Sequence, residues 1–210
     1  MDVALEVEPE IAPELFGARI DVARDFVRDL AAHGEELGLI GPLELPRLWS
    51  RHVINSALVA PLIRQNARVG DIGSGAGLPG LVLAIARPDA HFILIEPMER
   101  RTDWLRREAH ALGLSNVDVN RNRAEDVVLD PLLDQVTARA VSALAKLLPI
   151  TVPLVASGGE VILMKGASVD AEVEKAAKVI SRLRLRDVEV LTLGDGVRAE
   201  FTRVFRATIS

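Results

Sequence analysis

The sequence contains no cysteine among its 210 residues. Disulfide bonds, thiolate metal sites and a cysteine nucleophile are therefore excluded. The longest apolar run, residues 147–156, is interrupted by Pro149 and Pro153, and this argues against a membrane span. The acidic first residues lack the basic start and the apolar stretch of a signal peptide. We therefore expect a cytoplasmic protein with no membrane span and no bound metal.

The composition also lacks any biased or repetitive segment. Hydrophobic residues make up 49% and charged residues 26%, close to the values of soluble globular proteins. A chain of this length fits one domain with an appendage better than two equal domains. The net charge of −5 argues mildly against a dedicated nucleic-acid coat, although a local basic face is compatible with it. We expect a single globular unit that acts as a monomer.

The N-terminal third of the chain has the apolar spacing of helices. Apolar residues recur at three- and four-residue intervals over residues 13–37, and a second helical pattern runs over residues 44–63. Three basic residues lie near the start of the second pattern: Arg47, Arg51 and His52. We interpret residues 1–65 as a helical cap on a core formed by residues 66–210.

In the core, short apolar runs alternate with helical patterns. The predicted strands are 68–72, 91–96, 116–120, 135–139 and 160–165, and the predicted helices are 78–87, 99–112, 142–155 and 170–183. This alternation predicts an α/β fold with a mostly parallel sheet covered on both faces. Two late strands, 188–193 and 202–208, are joined around Gly194 without room for a helix, which predicts an antiparallel hairpin. The hairpin favours a Rossmann-like class I methyltransferase over a dinucleotide-binding fold, which would normally continue with parallel strands.

The stretch VGDIGSGAGLPG contains two overlapping glycine patterns. Gly73, Gly75 and Gly77 form the G-x-G-x-G that suits a nucleoside-methionine cofactor. Gly75, Gly77 and Gly80 form the dinucleotide pattern G-x-G-x-x-G. Either pattern lets the backbone turn sharply and pass close to a ligand. Asp71 favours the first pattern, because methyltransferases place at that position an acid that fixes the loop.

The neighbours of this loop suggest how a cofactor would be held. Pro79 lies in the first turn of the predicted helix, so we expect free N-terminal amides there to face the cofactor's carboxylate. Glu96 ends the next strand and can accept hydrogen bonds from both ribose hydroxyls in either kind of site. An acid within residues 120–127 can accept from an adenine amino group, but Glu125 or Asp126 at a helix N-terminus would explain that pattern at least as well.

Four motifs together resemble the bacterial GidB/RsmG family of 16S ribosomal RNA methyltransferases. They are DIGSGAGLPG at 71–80, RHVINS at 51–56, NRAE at 122–125 and ARA at 138–140. The resemblance covers roughly residue 44 to the C-terminus. Members of the family are similar in using S-adenosyl-L-methionine to methylate N7 of one guanine near the decoding centre. The resemblance thus implies this cofactor, and 16S ribosomal RNA or a small-subunit assembly intermediate as partner.

The resemblance implies cofactor contacts at several positions, and the turn chemistry adds others. The expected cofactor-binding residues are Gly73, Ser74, Gly75, Gly77, Leu78, Glu96, Ala124, Glu125 and Arg139. Arg139 would pair with the cofactor's carboxylate, although a surface ion pair is the alternative. The chain departs from the family upstream, where HGEELGLIGP replaces a frequent W-N-x-x-x-N-L-T element and Asn55 replaces the usual aspartate. These departures concern RNA docking and leave the cofactor residues intact.

The residue types limit the reaction. Carbon methylation of pyrimidines needs a cysteine, which the chain lacks. Methylation of exocyclic amines usually employs N/D-P-P-Y/F, whereas the chain has TARA at 137–140 and no tyrosine. Ribose methylation through Lys146 or Lys165 stays open. Guanine N7 has a free lone pair, so orientation alone can carry its methylation and we assign no catalytic residue.

RNA contacts are expected from four basic residues: Arg47, Arg51, His52 and Lys165. Packing of its helix on the sheet would explain His52 equally well. We interpret Trp104 as a packing residue, and the arginine pairs 100–101 and 106–107 as a solvated helix face. The remaining alternatives are a small-molecule methyltransferase of the same fold, a noncatalytic cofactor- or RNA-binding module and, last, a dinucleotide oxidoreductase.

Overall fold

A computed structural model describes residues 4–194 and 201–210. Its seven-stranded sheet has the order β3-β2-β1-β4-β5-β7-β6. The strands are β1 (Arg68–Ile72), β2 (His91–Ile95), β3 (Val117–Asn120), β4 (Leu133–Arg139), β5 (Val155–Lys165), β6 (Arg186–Leu193) and β7 (Thr202–Thr208). Strand β7 runs antiparallel to both β5 and β6, and the other pairs are parallel. The predicted parallel sheet with a C-terminal hairpin is confirmed, while part of the predicted turn after Gly194 lies outside the described residues.

Helices cover the two faces of the sheet. They are α1 (Ala12–Phe16), α2 (Ile20–His33), α3 (Asn55–Ala57), α4 (Gly80–Ala86), α5 (Glu99–Ala111), α6 (Leu144–Thr151) and α7 (Val169–Arg182). Side chains alternate between the faces along each strand, so Phe92 and Leu94 join one apolar cluster while Ile93 and Ile95 join the other. The sheet therefore separates two hydrophobic cores.

The N-terminal cap is helical but less regular than predicted. The first predicted helix divides into α1, a 3-10 turn over Gly17–Arg19, and α2. The second consists of a 3-10 turn, the π-helical segment Leu48–Ile54, α3 and a further 3-10 turn. Phe26 and Leu48 of the cap pack in the same apolar cluster as the core's Trp104. The cap and core thus share one interior, and a boundary at residue 65 stays a prediction.

The predicted helix over 142–155 is shorter in the structure. Helix α6 ends at Thr151 and a 3-10 turn covers Val152–Leu154, so β5 begins five residues before its predicted start at 160. Pro149 lies inside α6 and Pro153 inside the turn, where neither can donate a backbone hydrogen bond. Among the described residues, each helix is too short or too polar to cross a lipid bilayer.

Candidate functional site

The glycine loop joins β1 to α4 through left-handed backbone conformations. Gly73, Gly75 and Gly77 have φ angles of +70°, +55° and +93°, which side chains disfavour. A Cβ atom added at Gly75 would have one neighbour within 4 Å, the carbonyl oxygen of Gly73 at 3.7 Å. A Cβ atom at Gly77 would overlap the side chain of Leu81. Gly75 thus faces open space, whereas Gly77 is required by packing.

The Asp71 side chain anchors the end of this loop through a hydrogen bond, as predicted. Its carboxylate Oδ2 accepts the Gly80 amide at 3.1 Å. A Cβ atom at Gly80 would collide with Leu94 and with the Asp71 carboxylate. Strand–helix packing therefore requires the last glycine of the G-x-G-x-x-G pattern, and this requirement does not discriminate between the two glycine patterns. The expectation of a free helix N-terminus is wrong at Gly80, whose amide is bound by Asp71.

The Asp71 carboxyl group is fully buried. Its Oδ1 has no hydrogen-bond partner within the described part of the chain. Burial, which deprives the ionised form of its hydration, and nearby Glu96 raise the pKa of Asp71, while the hydrogen bond from the Gly80 amide lowers it, and the net pKa is about 7. The carboxyl group that anchors the glycine loop therefore has a pKa near neutral pH.

Glu96 directly follows β2, and its side chain contacts the glycine loop. Its side chain is almost fully buried, with Oε2 accepting the Gly75 amide at 3.1 Å and Oε1 accepting the Met98 amide at 3.0 Å. The Arg101 guanidinium lies 3.9 Å from Oε2. A carboxylate offers about four acceptor positions, so each oxygen retains the capacity to bind a further donor. The arrangement fits a vicinal diol such as that of a ribose.

A cavity of about 440 Å³ opens between this loop, the end of β4 and α6. Five of the predicted cofactor residues line it: Gly73, Glu96, Ala124, Glu125 and Arg139. The remaining four, Ser74, Gly75, Gly77 and Leu78, belong to the loop but are not part of this lining. The Ser74 hydroxyl is buried and donates to the Asp71 carbonyl oxygen at 2.9 Å, which makes it a loop-fixing group.

Sequence reasoning missed the apolar wall of this cavity. Its members are Ile72, Ile95, Leu147 and Ile150. They come from two strand ends and from α6, and apolar residues at such positions are indistinguishable from core residues in a sequence. The apolar wall opposite Glu96 gives the cavity one polar and one hydrophobic side, as small-molecule sites commonly have. Ala124 and Glu125 lie in a 3-10 turn, so a regular helix N-terminus does not account for them.

Arg139, at the end of β4, is half-buried and tied to the cap. Its Nη2 donates to the Arg51 carbonyl oxygen at 3.1 Å and lies 2.8 Å from His52 Nδ1. Its Nη1 approaches the His52 carbonyl oxygen at 3.3 Å and the Ser56 hydroxyl at 3.4 Å. These contacts give Arg139 a structural role in addition to any contact with a ligand. The guanidinium joins the end of the π-helical segment to the sheet while lining the cavity.

His52 connects Arg139 to Glu44. Its Nε2 lies 2.6 Å from Glu44 Oε2, and its Nδ1 accepts from Arg139, so the neutral ring with a proton on Nε2 satisfies both contacts. Burial and the adjacent Arg139 cation lower the pKa of His52. Burial opposes ionisation of Glu44, but hydrogen bonds from Arg47 and His52 prevail and lower the pKa of that carboxyl group. The predicted phosphate contact by His52 is not supported, because both ring nitrogens bind protein groups.

A second cavity, of about 670 Å³, adjoins the first at Arg139, Ala140 and Val141. Its lining includes Asn55 and Lys165. The loop after β4 that separates the two cavities is strained, since Ala140 has a positive φ of 54° without being glycine. Strain of this kind concentrates at functional sites, and here it lies where the two cavities meet.

Each of the four predicted RNA-contact residues has an acidic partner within the protein. Arg47 Nη2 lies 2.6 Å from Glu44, and Arg51 Nε lies 3.8 Å from the same carboxylate. Lys165 is nearly buried, pairs with Glu172 at 2.8 Å and donates to the Ser142 carbonyl oxygen at 2.7 Å. The structure brings Arg51, Arg139 and Lys165 into the second cavity but leaves Arg47 outside its lining. A single basic patch of all four residues is therefore not formed.

Two further predictions concern α5. Trp104 is buried, and its indole Nε1 donates to the Ala76 carbonyl oxygen at 3.1 Å, so its packing role is confirmed and extends to support of the glycine loop. Arg106 pairs with Asp103 on the exposed side of the helix. Arg101 lines the first cavity instead, where its guanidinium approaches Glu96. The solvated-face interpretation thus fails for Arg101.

Comparison with protein families gives a direct match. The GidB family, described as rRNA small subunit methyltransferase G, matches residues 19–201. The chain belongs to this family. A protein named ribosomal RNA small subunit methyltransferase G from Leifsonia xyli is 62% identical over 100% of both chains. A protein of the same name from Clavibacter michiganensis is 64% identical over 99% of this chain and 98% of the relative.

Solved structures show the same fold at low sequence identity. A SAM-dependent methyltransferase from Aquifex aeolicus aligns with a TM-score of 0.58 and 18% identity, covering 83% of this chain and 97% of that one. The TYW2 protein of P. horikoshii, solved in complex with MeSAdo, aligns with a TM-score of 0.60 and 15% identity, covering 75% of this chain and 62% of that one. At such identities the likeness establishes the Rossmann-like methyltransferase fold.

Proposed function

We propose that this protein is an S-adenosyl-L-methionine-dependent methyltransferase that modifies N7 of one guanine in 16S ribosomal RNA near the decoding centre. The observation that carries the proposal is the pair of adjoining cavities at the carboxyl ends of the strands, which meet at Arg139 and Ala140. In open α/β sheets, ligands bind at these ends. The name of the family and of its full-length relatives supports small-subunit ribosomal RNA as the substrate.

The first cavity suits the cofactor in size and donor set. Its volume of about 440 Å³ lies within the ordinary range of small-molecule sites. Glu96 would accept the ribose hydroxyls, Ala124 and Glu125 would contact the adenine, and Arg139 would bind the carboxylate. When bound, S-adenosyl-L-methionine supplies an electrophilic methyl group. The chain's part is to hold that group against the second cavity and to keep water away from it.

The second cavity would receive the guanine. N7 of guanine carries a lone pair at neutral pH, so the chain has to orient the base and needs no group to remove a proton. Such orientation can lower a barrier by roughly 7–11 kcal/mol. Ribose methylation would require a general base, but the Lys165 ammonium pairs with Glu172 and donates to Ser142. Lys146 belongs to the lining of neither cavity.

The test is in vitro methylation followed by mass mapping of the RNA. Purified protein is incubated with cofactor and with 16S RNA from cells lacking the gene, supplied either naked or in small subunits. We expect one added methyl group, on N7 of a single guanine, and we expect a Glu96→Ala protein to add none. RNA that stays unmodified in both forms, or carries the methyl group on a ribose or an exocyclic amine, would contradict the proposal.

We also propose that the protein acts as a monomer in the cytoplasm. The support is the acidic, cysteine-free sequence together with a ribosomal RNA substrate. Light scattering during size-exclusion chromatography should give a mass near 22.7 kDa, and cell fractionation should recover the protein with the soluble fraction. A stable dimer or recovery with membranes would contradict this part.

A further inference from the structure

The aromatic residues of the chain are few, and one differs from all the others. The sequence has five phenylalanines, two tryptophans and no tyrosine. Six of these seven are at most 4% exposed: Phe16, Phe26, Trp49, Phe92, Trp104 and Phe205. Phe201 is 62% exposed. A large apolar ring left in water forgoes the stabilisation that burial would bring, and what it can contribute depends on what lies around it.

Phe201 stands at the rim of the second cavity. It lines this cavity together with Arg51, Arg139, Lys165 and the partner of Lys165, Glu172, and it also lines a smaller neighbouring cavity of about 380 Å³. The backbone beside the ring is anchored, because the next residue, Thr202, is buried, begins β7 and donates its hydroxyl to the Asn55 carbonyl oxygen at 3.0 Å. The Phe201 ring is thus exposed, while the residue that follows it is buried and hydrogen-bonded.

We propose that Phe201 is a stacking platform for the purine base that enters the second cavity. RNA is read mainly where bases are unstacked, and such bases are received by aromatic side chains. Basic residues in the same lining favour a polyanion over an apolar partner. Because this cavity adjoins the cofactor cavity at Arg139 and Ala140, a base inside it would be the target guanine. The inference rests on the proposed function and assigns a specificity residue to it.

The experiment compares Phe201→Ala, Phe201→Leu and Phe201→Trp in methylation of 16S RNA. Stacking on one base is commonly worth a factor of about 5–150 by alanine substitution, so Phe201→Ala should lower kcat/KM for RNA by about 10- to 100-fold. Phe201→Trp should restore most of the rate, whereas Phe201→Leu, which is apolar without a π face, should restore little. Cofactor affinity by calorimetry and the melting temperature should stay unchanged, since the ring is exposed.

The matched control is Val188→Ala. Val188 is also an exposed apolar residue of the β6–β7 hairpin, at 38% exposure, but lies at the other end, where it lines a different cavity together with Glu189 and Arg206. It should not change kcat/KM. Phe201→Ala with kcat/KM within twofold of the wild type would overturn the stacking role, as would full rescue by Phe201→Leu. A defect confined to assembled subunits would assign the ring to a ribosomal protein and overturn it as well. Wild-type protein inactive on every form of the RNA would overturn the proposed function itself.

Discussion

At the amino-terminal ends of the strands, a buried carboxylate is surrounded by cations. Glu160, in β5, pairs with Arg206 at 2.5 Å and with Arg64 at 3.0 Å, and accepts from the Gln135 amide at 2.7 Å. Burial would raise the pKa of Glu160, but the hydrogen bonds from Arg206 and Gln135 outweigh it and lower the pKa. At this end, the Glu160 carboxylate of β5 links Gln135 of β4 to Arg206 of β7, and its charge is balanced by arginines of the protein.

The carboxyl-terminal ends hold buried carboxylates differently. Glu96 accepts backbone amides, with Arg101 no closer than 3.9 Å, and Asp71 is buried with a pKa raised to about 7. The backbone beside them is strained at Ala140 and turns through left-handed glycines. The two ends therefore differ in that Glu160 is paired with cations, whereas Glu96 and Asp71 are held mainly by backbone amides, and we propose that only the second arrangement serves a ligand.

Among substitutions that test this difference between the two ends, Arg139→Ala should have the largest effect on cofactor affinity. Loss of a charge-assisted pair with the cofactor should weaken binding by about 2–3 kcal/mol. Loss of its bonds to the Arg51 and His52 carbonyl groups should also lower the free energy of unfolding by about 1 kcal/mol. Arg139→Lys should recover only part of the affinity, because an ammonium lacks the planar fork. Calorimetry and urea unfolding measure the two quantities.

The matched control for Arg139 is Arg206→Ala at the opposite end. It should lower the free energy of unfolding, since Glu160 loses a partner, while cofactor affinity stays at the wild-type value. Unchanged cofactor affinity in Arg139→Ala, together with a loss of apo stability, would make Arg139 a purely structural residue.

A smaller effect is expected from a pair of glycine substitutions. Gly75 and Gly17 have similar φ angles of +55° and +51°, and a Cβ atom would meet no close neighbour at either position. Gly75→Ala and Gly17→Ala should each lower stability, because a side chain disfavours a positive φ. Only Gly75→Ala should also weaken cofactor binding if, as we propose, the cofactor approaches the open space beside Gly75. Equal cofactor affinities would show that this face of the loop is not used.

The last prediction concerns the pH dependence of stability and the substitution Asp71→Asn. The folded pKa of Asp71, about 7, lies above the ordinary value of 3.8, so between these values the native state binds more protons than the unfolded state. Asp71 thus destabilises the wild type progressively as pH rises, by at most about 1.4 kcal/mol per pH unit. The stability of Asp71→Asn relative to the wild type should therefore rise between pH 4 and 7 and level off above. A pH-independent difference would contradict the raised pKa.

The strands and most helices of the core were predictable because their apolar periodicity is local. The glycine loop and Glu96 were predictable because each comes directly after a strand in the chain, at the sheet edge where ligands bind. The partners of Arg139 were not, since they are set by contacts between distant segments. Glu44 is close in sequence to its partners, and its spacing of three residues before Arg47 gives a helical i,i+3 signal that sequence reasoning missed.

The irregular cap shows the other limit of prediction. Its apolar spacing correctly indicated helices, but a sequence pattern does not distinguish an α-helix from the π-helical Leu48–Ile54 segment. That segment directs the carbonyl groups of Arg51 and His52 toward Arg139. The element that departs most from the predicted helix is thus the one that contacts the candidate site.

The central claim, that one end of the sheet binds the cofactor and the other stabilises the fold, is tested most directly by two matched substitutions. Glu96 and Glu160 are 2% and 3% exposed, and each is changed to glutamine. The melting temperature is measured with and without S-adenosyl-L-methionine, whose binding raises it according to its affinity. Glu160→Gln should melt lower but keep the full cofactor-induced shift. Glu96→Gln should also melt lower without cofactor, because the glutamine side chain has one acceptor oxygen for the two backbone amides, but it should lose most of the shift. Equal shifts in the two variants would contradict the account.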